Sequence, residues 1–218
     1  MSEPTSSSFP VTDKTKITRL PKRGSYDNAT IYSILDEALF CTLAYAVNQQ
    51  AYQIPTGFCR MDNHIYIHGS VGSHYMRALA TGDIPVCVSA TLLDGIVLAR
   101  SAFHHSVNYR SVVFFGKVSK VTDKDLLYKA LELFTNKMCP GRWDDVRLPT
   151  DNEWKETMLL SVSIDEASAK IRTGGPKDDE EDYALDIWAG VQPIRLTRMA
   201  PEKDELLKPG IALPSYLR

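Results

Sequence analysis

The chain has 218 residues, room for one sizeable domain with appendages, and its 44% hydrophobic and 24% charged content is that of an ordinary soluble globular protein. A net charge of −2 gives no electrostatic reason to expect nucleic acid or an anionic membrane surface as a partner. No apolar run has the length of a membrane span, and the opening MSEPTSSSFP lacks the basic and apolar regions of a secretory signal, so a cytoplasmic location is expected.

Residues 1–20, rich in Ser, Thr, Lys and Pro, predict a flexible N-terminal arm. Asp27 is a good N-cap for a helix over 29–38, apolar at 31, 34, 35 and 38. Strands are expected at 40–47, 52–60 and 64–68, joined by turns at 48–51 and 61–63. A short helix over 74–80 precedes alternating strands at 84–91 and 95–103, then a long strand at 109–121, bent near Gly116. Asp123 opens a helix apolar at 126, 127, 130, 131, 133, 134 and 138, stopped by Pro140-Gly141. Thr150 caps a second helical piece, and strands at 158–164 and 169–172 close the regular part. An acidic turn at 177–182 follows, and a Pro-rich tail takes 193–218, leaving 21–192 as the main domain. Cys41, Cys59, Cys87 and Cys139 are scattered without a CxxC pair and read as reduced thiols.

About seven strands with short joints and three or four inserted helices make a mainly β protein, a barrel or curled sheet. GxGxxG and GxxxxGK[ST] are absent, which argues against a dinucleotide fold or a P-loop.

Two stretches could carry chemistry. In Asn63–Arg77 an alternating strand runs into Gly-Ser-Val-Gly-Ser and then a helix start, a setting that offers backbone N–H groups to an anion. Ser73 serves as N-cap or phosphate donor, and Arg77 lies on the same helix face. A plain strand–helix connection has the same composition. The second stretch crowds Ser106, Asn108, Tyr109, Arg110 and Ser111 ahead of Val-Val-Phe-Phe, as at the end of a strand that lines a polar pocket, or in a solvated turn. Arg110, with a planar fork suited to phosphate, is the best anion ligand of that set and is paired in this reading with Ser73 and Arg77. No metal centre is expected, because His104-His105 would point to opposite strand faces and His64, His68 and His74 lack ligand spacing.

At these residues the chain resembles the pyridoxamine 5′-phosphate oxidase-related FMN-binding split β-barrels, and within them the nitroimidazole-resistance-like flavin-nucleotide-binding branch. The matching pieces are Ile65-Tyr-Ile-His-Gly-Ser70, Gly72-Ser-His-Tyr-Met-Arg77, Asn108-Tyr-Arg-Ser-Val-Val-Phe-Phe-Gly116, Lys170–Asp182 and Ile187-Trp-Ala-Gly190. The resemblance implies a six-stranded antiparallel split barrel and a homodimer with flavin at the subunit interface. It implies FMN, with FAD as an alternative, its phosphate held by residues 70–77 (Ser70, Ser73, His74, Arg77) and by Arg110 and Ser111. The strand Ile65, Tyr66, Ile67, His68 would run along the flavin ring, with Ser106, Tyr109, Arg172 and Trp188 as further contacts. The chain departs from the vitamin B6 oxidases in lacking their Arg-x-His motif and ending Arg195-Leu-Thr-Arg-Met-Ala-Pro201, so that activity is not expected. His74 stands where many relatives have Lys.

The leading expectation is an FMN-dependent oxidoreductase that passes electrons from a reduced nicotinamide donor to a small acceptor, a nitroaromatic compound being one candidate, with His68 as the polar group near the ring. The rival is a flavin- or haem-binding carrier or sensor without turnover, with His104 or His105 as axial ligand.

Overall fold

Eleven strands form two antiparallel sheets in the computed structural model, which describes residues 7–82 and 84–217. The larger sheet runs β1 (Gly24–Ser25), β10 (Glu166–Arg172), β7 (Ser106–Gly116), β6 (Val86–Leu98), β2 (Phe40–Val47) and β3 (Gln50–Gly57). A further strand, β11 (Gly190–Pro193), takes the part of the β6 edge that β2 leaves free. The smaller sheet runs β4 (Cys59–Met61), β5 (His64–Ser70), β9 (Thr157–Ser163) and β8 (Val118–Val121). The two sheets do not close on each other, which is the split-barrel arrangement, built from eleven strands where six were expected.

Four helices intervene: α1 (Asn28–Glu37), α2 (His74–Leu79), α3 (Lys124–Met138) and α4 (Asp151–Glu156). Their starts are set by side chains that satisfy orphan N–H groups. Asp27 accepts from Thr30 N, Asp123 from Asp125 N and Leu126 N, and Thr150 forms a reciprocal capping box with Glu153.

The strands depart from the sequence reading for local reasons. Asn48 and Gln49, both at positive φ, make a two-residue hairpin turn, so β3 starts at Gln50 rather than 52. Pro55 sits in this strand because β3 is an edge. The two strands expected at 84–91 and 95–103 are one, β6, whose register slips at Leu93/Gly95. Residues 102–104 are a helical turn instead of strand. The long strand expected over 109–121 divides at Gly116: β7 belongs to the larger sheet and β8 to the smaller. A Cβ on Gly116 would stand 1.7 Å from the Ser163 carbonyl oxygen, so the chain passes between the sheets only where a side chain is missing.

One apolar core fills the space between the sheets, with Ile31, Ile34 and Leu35 of α1, Ile65 and Ile67 of β5, Met76 and Leu79 of α2, and Val112 and Phe114 of β7. A smaller core of Cys59, Tyr66, Ala130 and Leu159 lies under α3. Successive residues of β5 therefore face two different cores. Within the stretch expected as a flexible arm, Phe9 is buried and bonded to Tyr26 O, and Lys14 pairs with Glu166 at 2.7 Å. At the other end, Tyr216 donates to Asp145 and accepts from Arg142.

Candidate flavin and anion site

The residues singled out in the sequence fall into separate groups. On β5, Ile65 and Ile67 are fully buried in the main core and Tyr66 in the smaller one, so their side chains are spent on packing. His68 shares the Tyr66 face, half-buried, with the edge of Phe134 of α3 against it at 4.4 Å between ring centres. Burial holds its imidazole below the usual histidine range, so the ring is neutral at physiological pH.

After β5 the loop closes on itself. Ser70 Oγ accepts from Gly72 N, Ser73 N donates to Ser70 O, and Val71 N donates to Glu156 O. Ser73 stands at the N-cap of α2, but its hydroxyl caps no N–H group, and α2 has only six residues. Arg77 donates to Gly72 O at 2.9 Å and forms no ion pair among the described residues, and His74 opens the helix.

Arg110 is elsewhere. It lies on the β7 row that points inward with Val112 and Phe114, and its guanidinium is committed to two carboxylates. Nε and Nη2 donate to Asp94 at 2.9 and 2.8 Å, Nη2 also donates to Glu37 at 2.8 Å, and Nη1 donates to Glu37. Hydrogen bonding from Arg110 holds the Glu37 carboxyl below the ordinary glutamate range. No bond connects Arg110 to Ser73 or Arg77 among the described residues. The arginine instead borders a cleft of about 820 Å³, between the middle of β6 and residues 193–196, in which two acids offset its charge. The sequence reading missed Glu37 and Asp94; their separations of 73 and 16 residues from Arg110 leave no local signal.

The outward row of β7 is different. Tyr109 pairs across to Arg172 and Ser111 to Lys170, so these four share one face, and Ser111 Oγ donates to Lys170 O at 3.2 Å. Ser106 starts this strand opposite Val97. Arg172 is buried with Asn108, also buried and one of the crowded polar residues of the sequence. Trp188 is 70% exposed and lies over Gly190 of β11.

Next to this face, the 100–105 turn is tied to the acidic stretch after β10. Arg100 pairs at 2.9 Å with Asp178, whose side chain is shielded from solvent, and His104 with Asp179 at 3.1 Å. Potential ligand atoms of His104, Asp179 and Asp182 lie within 4.8 Å of one another, a grouping the sequence reading, which expected no metal centre, did not foresee. His105 Nδ1 is bonded to Ser101 O.

Among the families compared, the one described as pyridoxamine 5′-phosphate oxidase matches residues 27–171. No curated protein matches significantly. Among solved structures, the flavocytochrome Anf3 from Azotobacter vinelandii aligns over 94% of this chain and 95% of its own, with 36% identity and a TM-score of 0.87. The FAD and heme binding protein from Mycobacterium smegmatis aligns over 89% and 95%, with 35% identity and a TM-score of 0.84. A protein from Bacteroides thetaiotaomicron, named as a putative 5-nitroimidazole antibiotic resistance protein, aligns over 68% of this chain and 86% of its own at 19% identity and a TM-score of 0.55, a likeness of fold alone.

Proposed function

Since the chain belongs to the pyridoxamine 5′-phosphate oxidase-related split-barrel family, we propose that it is a flavin-nucleotide-binding protein that transfers electrons. What supports this most is the match at 36% identity, over nearly the whole of both chains, to a protein named as a flavocytochrome. The chain's own residues fit a flavin. Arg77 has donors left for an anion, the Ser73 hydroxyl is not used as a cap, and the Tyr109–Ser111 face supplies hydroxyls beside two cations. When bound, the flavin supplies the redox chemistry, while the protein orients it and excludes competing reactions. A reduced nicotinamide donor remains part of the proposal. The nitroaromatic acceptor rests on a neighbour at 19% identity, which supports only the fold, and so the acceptor is proposed as a small oxidant of unspecified class. Vitamin B6 oxidation is not proposed, because the Arg-x-His motif is missing.

A second group, haem, is favoured by the names of the two relatives at 36% and 35% identity. Of the imidazoles, His104 and His105 are already hydrogen-bonded, to Asp179 and Ser101. Each bond engages one ring nitrogen and leaves the other open to a metal, and His68, half-buried and without a hydrogen bond among the described residues, is a third candidate axial ligand.

A second copy of the chain would complete the site. The outer face of the larger sheet carries Phe40, Thr42, Ser89, Thr91, Leu93 and Val113 side by side, with Phe40 59% and Leu93 45% exposed. An isologous dimer through this face would bury ~2,000 Å² or more, the scale of an obligate interface.

The absorption spectrum of the purified protein, with mass spectrometry of what it releases, tests the cofactors. Flavin bands are expected, joined by a Soret band if haem is present; of the variants His68→Ala, His104→Ala and His105→Ala, at least one should then abolish the Soret band and spare the flavin. A protein that purifies colourless and takes up no flavin in titration would overturn the proposal.

A further inference from the structure

Arg172 ends β10 with 6% of its surface exposed, yet no carboxylate pairs with it among the described residues. Nη1 donates to Asn108 Oδ1 and, at 3.1 Å, to Gly174 O. Nη2 donates to Gly175 O at 3.1 Å, and the buried Nε–H has no partner among the described residues. Every acceptor around this guanidinium is neutral. Desolvating a cation is costly unless a counter-charge accompanies it, and the part-buried Arg60, Arg100 and Arg110 each have one.

The neighbourhood adds positive charge. The helical turn Pro21–Arg23 packs against β10, and Arg23 forms no ion pair among the described residues. Burial first, and then the like charge of Arg23, pull the proton affinity of Arg172 below that of an ordinary guanidinium. Lys170 lies on the same strand face two residues back, its ammonium resting on Arg19 O at 3.2 Å. Glu166, at the other end of β10, is occupied by Lys14 and Thr12, and Asp178, six residues beyond Arg172 in the chain, by Arg100. Three cations with no acid of their own thus gather where Tyr109 and Ser111 present hydroxyls.

We propose that the end of β10 is an anion site in which Arg172, supported by Arg23 and Lys170, holds a phosphate or pyrophosphate group. A planar fork with a free N–H suits two phosphate oxygens, and three positive charges match a multiply charged anion better than a single carboxylate. Two sources share this chemistry. One is the phosphate of the bound flavin nucleotide, which rests on the function proposed above. The other is a separate phosphorylated ligand meeting the flavin.

Calorimetric titration of the full-length protein with FMN, riboflavin and inorganic pyrophosphate separates these. It compares wild type with Arg23→Ala and with Arg172→Met, the latter checked for native fold by near-UV circular dichroism. Arg23 is partly exposed and unpaired, so its variant should fold even if Arg172→Met does not. If the anion is the flavin's own phosphate, both variants should lose about tenfold to hundredfold in FMN affinity, as expected for a lost charge-assisted bond, while riboflavin binding is unchanged. If it belongs to another ligand, both flavins should bind all three proteins alike, and pyrophosphate binding should fall in the variants. A wild type that takes pyrophosphate through Arg23 and Arg172 but no flavin would sink the flavin reading and leave the anion site standing. The proposal is overturned if wild type does not distinguish FMN from riboflavin and binds no pyrophosphate. It is equally overturned if Arg23→Ala binds FMN and pyrophosphate as wild type does and Arg172→Met either does the same or fails to fold, for Arg172 then serves only to pin the Gly174-Gly175 turn.

Discussion

Replacing Arg110 by Met keeps the packed stem of the side chain and removes the guanidinium that stands between Glu37 and Asp94. The side chains of the three groups are 30%, 54% and 31% exposed, so each ion pair is worth only ~0.2–1 kcal/mol. The two carboxylates, both within hydrogen-bonding distance of one guanidinium, are then left facing each other across a few ångströms of wet surface, a repulsion on the order of 1 kcal/mol. Together the loss should be ~2 kcal/mol at neutral pH, read as the shift in urea unfolding. Glu37 fixes how it varies with pH. Its folded carboxyl is held below the ordinary value of 4.5, so its share of the stability is present above that value and fades as pH falls through the lower folded one. The difference between wild type and Arg110→Met should therefore shrink in acid. Because this arginine is neutralised, the variant should also change FMN and riboflavin affinity by the same factor. A loss below ~0.5 kcal/mol, within the range of an ordinary surface substitution, would refute the assignment, as would a loss that ignores pH. A selective loss of FMN would return the phosphate to Arg110.

Two further perturbations probe other parts of the fold. Gly116→Ala places a methyl 1.7 Å from Ser163 O, which only a shift of two strands can relieve, and should cost ~2–4 kcal/mol in thermal or urea unfolding; a near-neutral result would mean that the passage between the sheets is not tight. Lys137 donates to Leu35 O at the end of α1 and lies 3.7 Å from the Phe58 ring centre, and burial lowers its pKa to about 8 from 10.5. Between those values the unfolded chain binds more protons than the folded one, so wild-type stability should rise with pH relative to Lys137→Met; parallel pH profiles of the two proteins would refute the burial of this amine.

The sequence revealed most where structure is local. The helix starts at Asp27, Asp123 and Thr150 were legible because capping is a matter of three residues, and β5 was legible as an alternating strand. What depended on distant partners was not legible. Arg110 has the residue type and setting of a phosphate ligand, and nothing within ten positions announces that Glu37 and Asp94 claim it. Arg172 entered only through the family resemblance; its lack of a counter-ion is visible once Asn108, Gly174 and Gly175 are seen around it. The strands β1 and β11 escaped for a related reason: two and four residues long, they carry no pattern and exist because β10 and β6 offer them an edge.

The two-sided burial of β5 makes this strand a party wall, with a tenant on each side. A one-residue slip would push Tyr66 into a space shaped for isoleucine and an isoleucine under α3, so both neighbours enforce the same register. It also gives α3 a voice in β5. Phe134 rests against His68, and the same ring leaves only 2.8 Å for a side-chain carbon at Gly57 on β3. A methyl group added at Gly57 must displace the Phe134 ring, and a displaced ring changes how much water His68 sees. The polarity of that imidazole is thus set in part by the emptiness of a position on another strand, which it does not touch.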